Sequence, residues 1–574
     1  MKNKNRYTIF PLLLVSLLFS CKKIVDLKPL DIISGDQVWQ DPNLIKAYIT
    51  NLYSRVPLSG VFVDDPGASV EQLLICDEGR SSFDWWPTTF TKGLLNTTGG
   101  EVEYWDYNLV RDMNTFFKEI TTAGIADDVK NQYIGEVKFL RAYVYFEMVK
   151  RYGGVPLILV PQDIHAGESL FIKRNTEKEI YDFIATECDE SAAKLLVNTQ
   201  PESGRVTQYA ALALKSRAML YAASEAKYGT VQLNGLVGIP SSDANAYWQK
   251  SLDASNAIIS ANKFELYNKY SDKAKNYQMI FLEKNNKEII LEKKYTGVQY
   301  GHSVDDFYET NANYSYWGCQ FSPTLELINS FENIDGSSGL IDWPNVRGEL
   351  PYILRNKDPR FHASILYNGQ QWVNDTVRLW LGVYAGGTLF NSEQNQYKGI
   401  DEVGRDQQTS QGSKTGFFMK KFLDPTRSPA RPHESDQDWM VYRYAEILLN
   451  YAEAAFELGN DVGALNAINQ IRTRAGIAQL AAITLDKIRH ERQIELVFET
   501  HRFWDLRRWH IAKTVLSRNF HGAFPYYDYD QGNFIYKVDN CEGYTRVFKE
   551  AYYYLPITED RINNNPNLIE NPGY

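Results

Sequence analysis

Residues 441–476, VYRYAEILLNYAEAAFELGNDVGALNAINQIRTRAG, constrain the fold more than any other stretch. Ala445, Leu448, Leu449, Ala452, Ala455 and Phe456 recur on one face at helical spacing. Gly459-Asn460 predicts the stop of that helix, because glycine accepts the left-handed backbone of a cap. A second helix follows with Leu465, Ile468 and Ile471 inward, ending at Ala475-Gly476. Small residues alternate with large ones, so the two helices can approach closely as an antiparallel hairpin of tetratricopeptide type. The pattern recurs at 210–224 with 247–259, and at 137–150 with 180–196. A single hairpin cannot bury its apolar face alone, so the expectation is a stack with a continuous core.

The rest of the chain divides around that scaffold. A helix is expected over 41–56, a long irregular stretch over 57–100, and a helix over 101–122. Between about 270 and 438 the helical periodicity fades into a mixed, loop-rich face. There 289–294 reads as a strand, and 361–367 with 370–373 as a hairpin about Asn368-Gly369. Ser322 and Pro323 read as N-cap and first-turn residue of a short helix to Glu332. No Ser/Gly- or Pro-rich linker separates folded halves, so one continuous body is expected. Its regions are 36–269, 270–440 and 441–574, preceded by 1–20 and 21–35.

Residues 1–20 carry the marks of a leader: Lys2, Lys4 and Arg6, then an apolar run too short to span a bilayer. Leu18-Phe19-Ser20-Cys21 reads as a bacterial lipobox, with an ordinary secretory signal or an uncleaved membrane helix as the alternatives. A lipobox implies an acylated Cys21 at a new amino terminus, followed by a tether over 21–35. Each buried methylene contributes about 0.8 kcal/mol, so several acyl chains anchor firmly where one does not. The other cysteines, Cys76, Cys188, Cys319 and Cys541, are far apart, suggesting core residues and neither zinc nor a redox dithiol.

A net charge of −10 argues against a sequence-independent nucleic-acid partner, which needs a basic face. Catalytic signals are thin: there is no GxSxG and no P-loop, and no GxGxxG follows a strand. His490-Glu491 begins an HExxH-like string, but position 494 is Ile, so the second metal ligand is missing. Arg492, Glu495, Glu499, Arg502 and Asp505 form a stripe of alternating sign on an expected helix over 488–509. With apolar residues between them, they read as an ion-pair ladder, not acid–base machinery. Carboxylates are plentiful, and a glycosidase needs only two about 5 to 10 Å apart, a spacing that sequence does not encode. The reading is a binding protein without cofactor or metal.

Seven blocks, in order, resemble the SusD/RagB family of outer-membrane nutrient-binding lipoproteins. They are VKFLRAYVYFEMVKRYGGVPLI (137–158), SPTLELINSFENIDG (322–336), NKDPRFHASIL (356–366), GFFMKKFLDP (416–425), RYAEILLNYAEAAFELGN (443–460), IRHERQIELVFETHRFWDLRRW (488–509) and YLPITEDRINNNPNLIENPGY (554–574). The resemblance implies a mainly α, tetratricopeptide-like scaffold with an inserted loop-rich ligand face. It also implies lipid anchoring at the outer membrane, capture of nutrient oligomers, usually glycan, and a SusC-like TonB-dependent transporter as partner. Capture of a peptide or another oligomer on the same scaffold, or a tetratricopeptide-type protein-interaction scaffold, are the alternatives.

Fourteen per cent of the chain is aromatic, and indole or phenol faces match the C–H face of a sugar ring. By position, the resemblance places the ligand site on loops carrying Asp77, Arg80, Trp85 and Trp86, and on Tyr314, Tyr316 and Trp317. Trp85, Trp86 and Trp317 are expected to stack, with Asp77 and Arg80 meeting hydroxyls.

Overall fold

The computed structural model describes residues 38–63, 68–195, 202–310, 312–313, 316–392, 397–401 and 412–574. The leader, the lipobox with Cys21, the tether and Tyr314 lie outside the described residues. No helix among the described residues is long and apolar enough to cross a membrane.

The fold is mainly α. Helix α1 (Pro42–Arg55) is started by Asp41, whose carboxylate accepts the Asn43 N–H at 2.8 Å, with Pro42 in the first turn. Helix α2 (Tyr107–Glu119) begins well after Glu101, because Asp106 supplies its cap by accepting the Leu109 N–H at 2.8 Å. The three expected hairpins are present: α3 (Asp127–Tyr152) with α4 (Glu177–Leu195), α5 (Gln208–Tyr228) with α6 (Ala244–Ser260), and α7 (Tyr444–Glu457) with α8 (Asp461–Ala475). Each of these helices packs on the next, so the third hairpin follows the second in space although 261–443 separate them in sequence. The loop-rich region is an insertion into a continuous stack.

Small side chains set the spacing. Ala210, Ala211, Ala213, Ala218, Ala222 and Ala223 of α5 are fully buried. The Ser216 and Ser255 hydroxyls meet at 2.8 Å, and the Asn450 amide donates to Ser216 Oγ at 3.0 Å, linking α5, α6 and α7. A larger residue at the fully buried Ala222 would overpack the stack at a cost of about 1–3 kcal/mol. Gly459 and Gly476, both at φ 81°, end α7 and α8, and the Asn460 side chain caps α8 by accepting the Gly463 N–H at 2.9 Å. Cys76, Cys188, Cys319 and Cys541 are all free and buried.

The charged stripe after α8 is not one helix. Helix α9 (Leu485–Glu495) stops, the chain turns through Phe498 and Thr500, both at φ 64°, and α10 (Arg502–Arg508) starts afresh. The bend turns the carboxylates toward arginines from other elements. Glu495 accepts from Arg443 (2.7 Å), Arg360 (2.9 Å) and Arg474. Glu499 accepts from Arg443 and Lys421, each at 2.7 Å. Only Arg492 and Asp505 meet within the stripe, at 2.8 Å across the bend. His490 Nε2 lies 2.7 Å from the Ser330 carbonyl, while Glu491 accepts from Arg360 (2.6 Å) and Arg472 (2.9 Å). Among the described residues no His/Cys/Asp/Glu group could hold a metal ion.

The inserted region holds short strands. Ile289–Lys293 pairs antiparallel with Trp439–Arg443 at the entrance to α7. A four-stranded sheet has the order 533–540, 521–528, 383–385, 388–390, with only the central pair parallel. Two expectations are corrected here. Asp358 accepts the Arg360 N–H (2.8 Å) and starts a helix, Pro359–Ser364, so only Ile365–Tyr367 is strand, paired with Phe417–Met419. The Asn368-Gly369 turn therefore does not join partner strands. Thr324, not Ser322, caps the next helix, Leu325–Ser330, by accepting the Leu327 N–H at 3.2 Å. Ser322 and Pro323 belong to a strand.

Candidate functional site

That strand brings two distant loops together. Phe321–Pro323 pairs antiparallel with Gly79–Ser81 in the register Gly79↔Pro323, Arg80↔Ser322, Ser81↔Phe321. The Ser82 N–H extends the ladder to the Gln320 carbonyl (3.3 Å), and the Ser82 hydroxyl donates to the Cys319 carbonyl. In an antiparallel pair, the segment leaving one strand starts beside the segment entering the other. The Trp85 loop and the Trp317 loop therefore depart from the same end of one ladder.

Each loop presents rings to water. Trp85 is 70% exposed and stacks on Phe83, with centroids 5.1 Å apart and planes 30° apart. Tyr316 is 65% and Trp317 37% exposed, meeting edge to face at 5.1 Å. Behind Trp317 lies Phe307 at 6.2 Å. Offset and edge-to-face pairs hold rings in place while leaving a face open.

The Trp317 loop is fixed through its backbone. The buried Asp306 carboxylate accepts the Tyr316 N–H (2.9 Å) and the Trp317 N–H (2.8 Å), and the Asp306 carbonyl accepts the Gly318 N–H at 2.8 Å. The Cys319 and Gln320 N–H groups return to the Glu309 (2.8 Å) and Phe307 (3.1 Å) carbonyls. Charged acceptors on backbone donors make strong hydrogen bonds. Glu309 accepts from the Trp372 indole (2.7 Å) and from Thr310 (2.8 Å), and burial pushes its carboxyl up to about 8 despite these donors. Trp372 is thus a buried strut. Tyr308, in the same aromatic cluster, is buried as well.

The other expected contacts sit differently. Trp86 is half-buried against the core. Asp77 is buried and bound by Arg502 through two bonds of 2.8 and 2.7 Å. Arg80 is buried too, donating to the Ser81 carbonyl (2.6 Å), to the Cys541 carbonyl and to Asp84 (2.7 Å). The expectation that Asp77 and Arg80 meet hydroxyls is corrected: both sit in or beside a buried ladder, where an unpaired charge is costly, so protein partners consume their polar atoms. The exposed carboxylate of this loop is Asp84, held below the usual range by its Arg80 hydrogen bond, over a burial contribution of opposite sign, and by the Arg80, Lys414 and Lys92 charges.

Phe83, Asp84 and Asp306 were missed by sequence reasoning. The Asp305-Asp306 pair opening the short helix Val304–Tyr308 was the available signal for the last. A cavity of about 390 Å³ is lined by Glu71, Glu147, Lys150, Arg151 and Arg217 among others. These charges are largely closed in pairs: Glu147 accepts from Lys150 and Arg151 at 2.6 Å, and Arg217 donates to Glu446 at 2.6 Å.

Residues 287–574 match the model of the SusD family, and residues 96–220 match a family described as starch-binding and associating with the outer membrane. A SusD-like protein of Formosa agariphila is 22% identical, over 90% of this chain and 94% of its own. The starch-binding protein SusD of Bacteroides thetaiotaomicron is 25% identical, over 79% and 75%. A crystal structure of a SusD-like protein from Bacteroides fragilis superposes with a TM-score of 0.74 at 28% identity, covering 95% of this chain and all of that one. Matched over half of its length by that model, and along nearly all of it by the Bacteroides fragilis fold, the chain belongs to the SusD/RagB family.

Proposed function

We propose that this protein captures nutrient glycan at the outer membrane, tethered through an acylated Cys21, and passes it unaltered to a SusC-like TonB-dependent transporter. The observation that carries this reading is the pair of water-facing aromatic loops, Trp85 on Phe83 and Tyr316 on Trp317, set on one ladder. The C–H face of a pyranose matches an indole or phenol face, and each stacked ring contributes roughly 1–2 kcal/mol from apolar area removed from water. Association costs at least about 4 kcal/mol, so a few rings give modest affinity, which suits a protein that must release its cargo. Repeating sugar units recover avidity. The names of two relatives lend support: one is a starch-binding protein, another a carbohydrate-binding protein.

Affinity electrophoresis through gels containing starch, laminarin or polygalacturonate tests the proposal. Retardation by at least one polymer is expected, weakened in Trp85→Ala and in Trp317→Ala. Migration identical in every gel, or variants that move like the parent, would overturn it. Cys21→Ser is expected to move the protein from the membrane fraction to the soluble one. A tag on the mature chain should co-purify a plugged β-barrel from detergent extracts.

A further inference from the structure

The cavity of about 390 Å³ has on its walls a polar group that the fold leaves unanswered. The Tyr104 hydroxyl is buried and has no hydrogen-bond partner among the described residues. The residue itself is held in place, its backbone N–H meeting the Tyr152 hydroxyl at 3.1 Å. Glu71, also on the walls, takes the Ser69 hydroxyl at 3.4 Å and has no ion-pair partner among the described residues. The other wall charges are matched. Glu147 is shared by Lys150 and Arg151, Arg217 is closed on Glu446, Glu499 on Arg443 and Lys421, and Glu103 on Arg561 at 2.7 Å. Glu101 accepts the Thr89 and Phe90 N–H groups at 2.9 and 3.2 Å. Burial and the neighbouring Arg217 hold the His501 imidazole well below its ordinary range, so it adds no charge. Tyr143, Tyr221, Trp439 and Trp504 supply aromatic carbon, and all four are buried.

An anion entering this space would meet Glu71, Glu101 and Glu147, and a cation would meet Lys150, Arg151 and Arg217. A neutral hydroxyl both donates and accepts, so it answers Tyr104 and Glu71 without bringing charge among buried walls. The C–H faces of a pyranose suit the aromatic carbon. Small-molecule sites run from about 300 to 1,000 Å³, and a volume at the low end holds one or two sugar rings. We propose that this cavity is a second binding site, taking an uncharged mono- or disaccharide whose hydroxyls bond to Tyr104 and Glu71. None of Trp85, Tyr316 and Trp317 lines it, so it is separate from the open face and does not depend on the glycan reading of that face.

Isothermal titration of the mature chain with glucose, galactose, mannose, maltose and cellobiose tests this, against the corresponding hexosamines, as ammonium ions, and hexuronates. Saturable binding of at least one neutral sugar is expected, tighter than that of its charged counterparts. Tyr104→Phe removes only the hydroxyl and should weaken binding by about threefold to tenfold, and Glu71→Gln by a similar factor. Because the hydroxyl has no partner in the fold, Tyr104→Phe should melt no lower than the parent, and its retardation by polymers in affinity gels should be unchanged. No binding of any of the five sugars, preference for a hexosamine or hexuronate, or a Tyr104→Phe protein that binds like the parent would each overturn the inference. So would a clear drop in its melting temperature, which would reveal a structural partner for the hydroxyl. Polymer retardation is read in separate gels, so glycan capture at the open face stands or falls on its own.

Discussion

In the seam where α7 to α10 meet the inserted region, carboxylates are buried and answered by guanidinium groups. On the Trp85–Trp317 face, rings stand in water and the buried charge of Asp306 is spent on backbone N–H groups. Glu453 accepts from Arg508 at 2.6 and 2.7 Å and from the Trp509 indole at 2.8 Å; Asp505 accepts from Arg492 and Arg508, both at 2.8 Å. Such a seam has no exchangeable partner to offer a ligand. The face has open π surface, with its loops held from behind. The contrast separates two uses of the same side-chain chemistry: charge that locks helices into one arrangement, and charge that aims a loop.

The largest effect expected from breaking that contrast is at Glu495. It is fully buried beneath Arg443, Arg474 and Arg360, so Glu495→Ala leaves three guanidinium groups short of a partner. Removing one side of such a buried pair costs about 3–5 kcal/mol, measurable by urea unfolding. Trp85→Ala, on the face, should change stability by no more than about 0.5 kcal/mol. Equal losses in the two variants would erase the distinction.

Acid sharpens it next. Burial alone would raise Glu495, Glu499 and Glu453, but the facing arginines, helped at Glu499 by Lys421, overcome it and hold all three below the ordinary carboxylate range. A depressed folded value means stability that is present above the unfolded value, about 4.3 for glutamate, and lost as pH falls through the folded one. The melting temperature is expected to fall progressively below about pH 4.5, with Glu495→Gln flattening part of that slope. A parent protein as stable at pH 3 as at pH 6 would contradict the pairing.

How much of this is written locally explains what could be read without coordinates. The hairpins were legible because a helix face, its cap and its partner helix lie within a few tens of residues. Ala452, Gly459 and Ile468 announce one unit together. The site was not, because it depends on pairing between Arg80 and Ser322, far apart along the chain. Asp77 and Asp84 are the same residue type in one segment, yet the first is closed on Arg502 and the second reaches water. Nothing in the composition of CDEGRSSFDWW separates them. Likewise Trp85 and Trp86 are adjacent, and only the fold shows one ring open and the other half-buried. Asn368-Gly369 foretold a turn correctly but not which strands would pair, since Ile365–Tyr367 finds its partner at Phe417–Met419.

On the face itself, substitutions should act on binding alone. Trp85→Ala and Trp317→Ala should each weaken glycan binding by roughly 5- to 30-fold, the equivalent of about 1–2 kcal/mol per ring. Trp86→Phe, which keeps an aromatic ring in its half-buried place, should weaken it less. Isothermal titration with an oligosaccharide retained in the gels would rank the three. A Trp86 effect as large as that of Trp85 would move the site toward the core side of the loop.

The smallest expected effect lies where the two regimes touch, at Glu309. This carboxyl is buried like those of the seam, but among the described residues no guanidinium faces it; the Trp372 indole and the Thr310 N–H do, and Asp305 and Asp401 add like charge. Burial raises it to about 8, so near neutral pH the folded protein holds it protonated while the unfolded chain would not. A raised folded value reverses the sign of the seam: the stability it contributes is complete below the unfolded value and lost as pH rises through about 8. Because the Glu309 carbonyl holds the Cys319 N–H, the loss should appear first in the Trp317 loop. Amide exchange at 316–320, corrected for its intrinsic pH dependence, is expected to speed up between pH 7 and pH 9 while α7 stays protected. Glu309→Gln, which cannot ionise, should remove that change without lowering protection at pH 6. If the loop in Glu309→Gln still loosens as in the parent, its pH response comes from elsewhere, and the face is aimed by Asp306 alone.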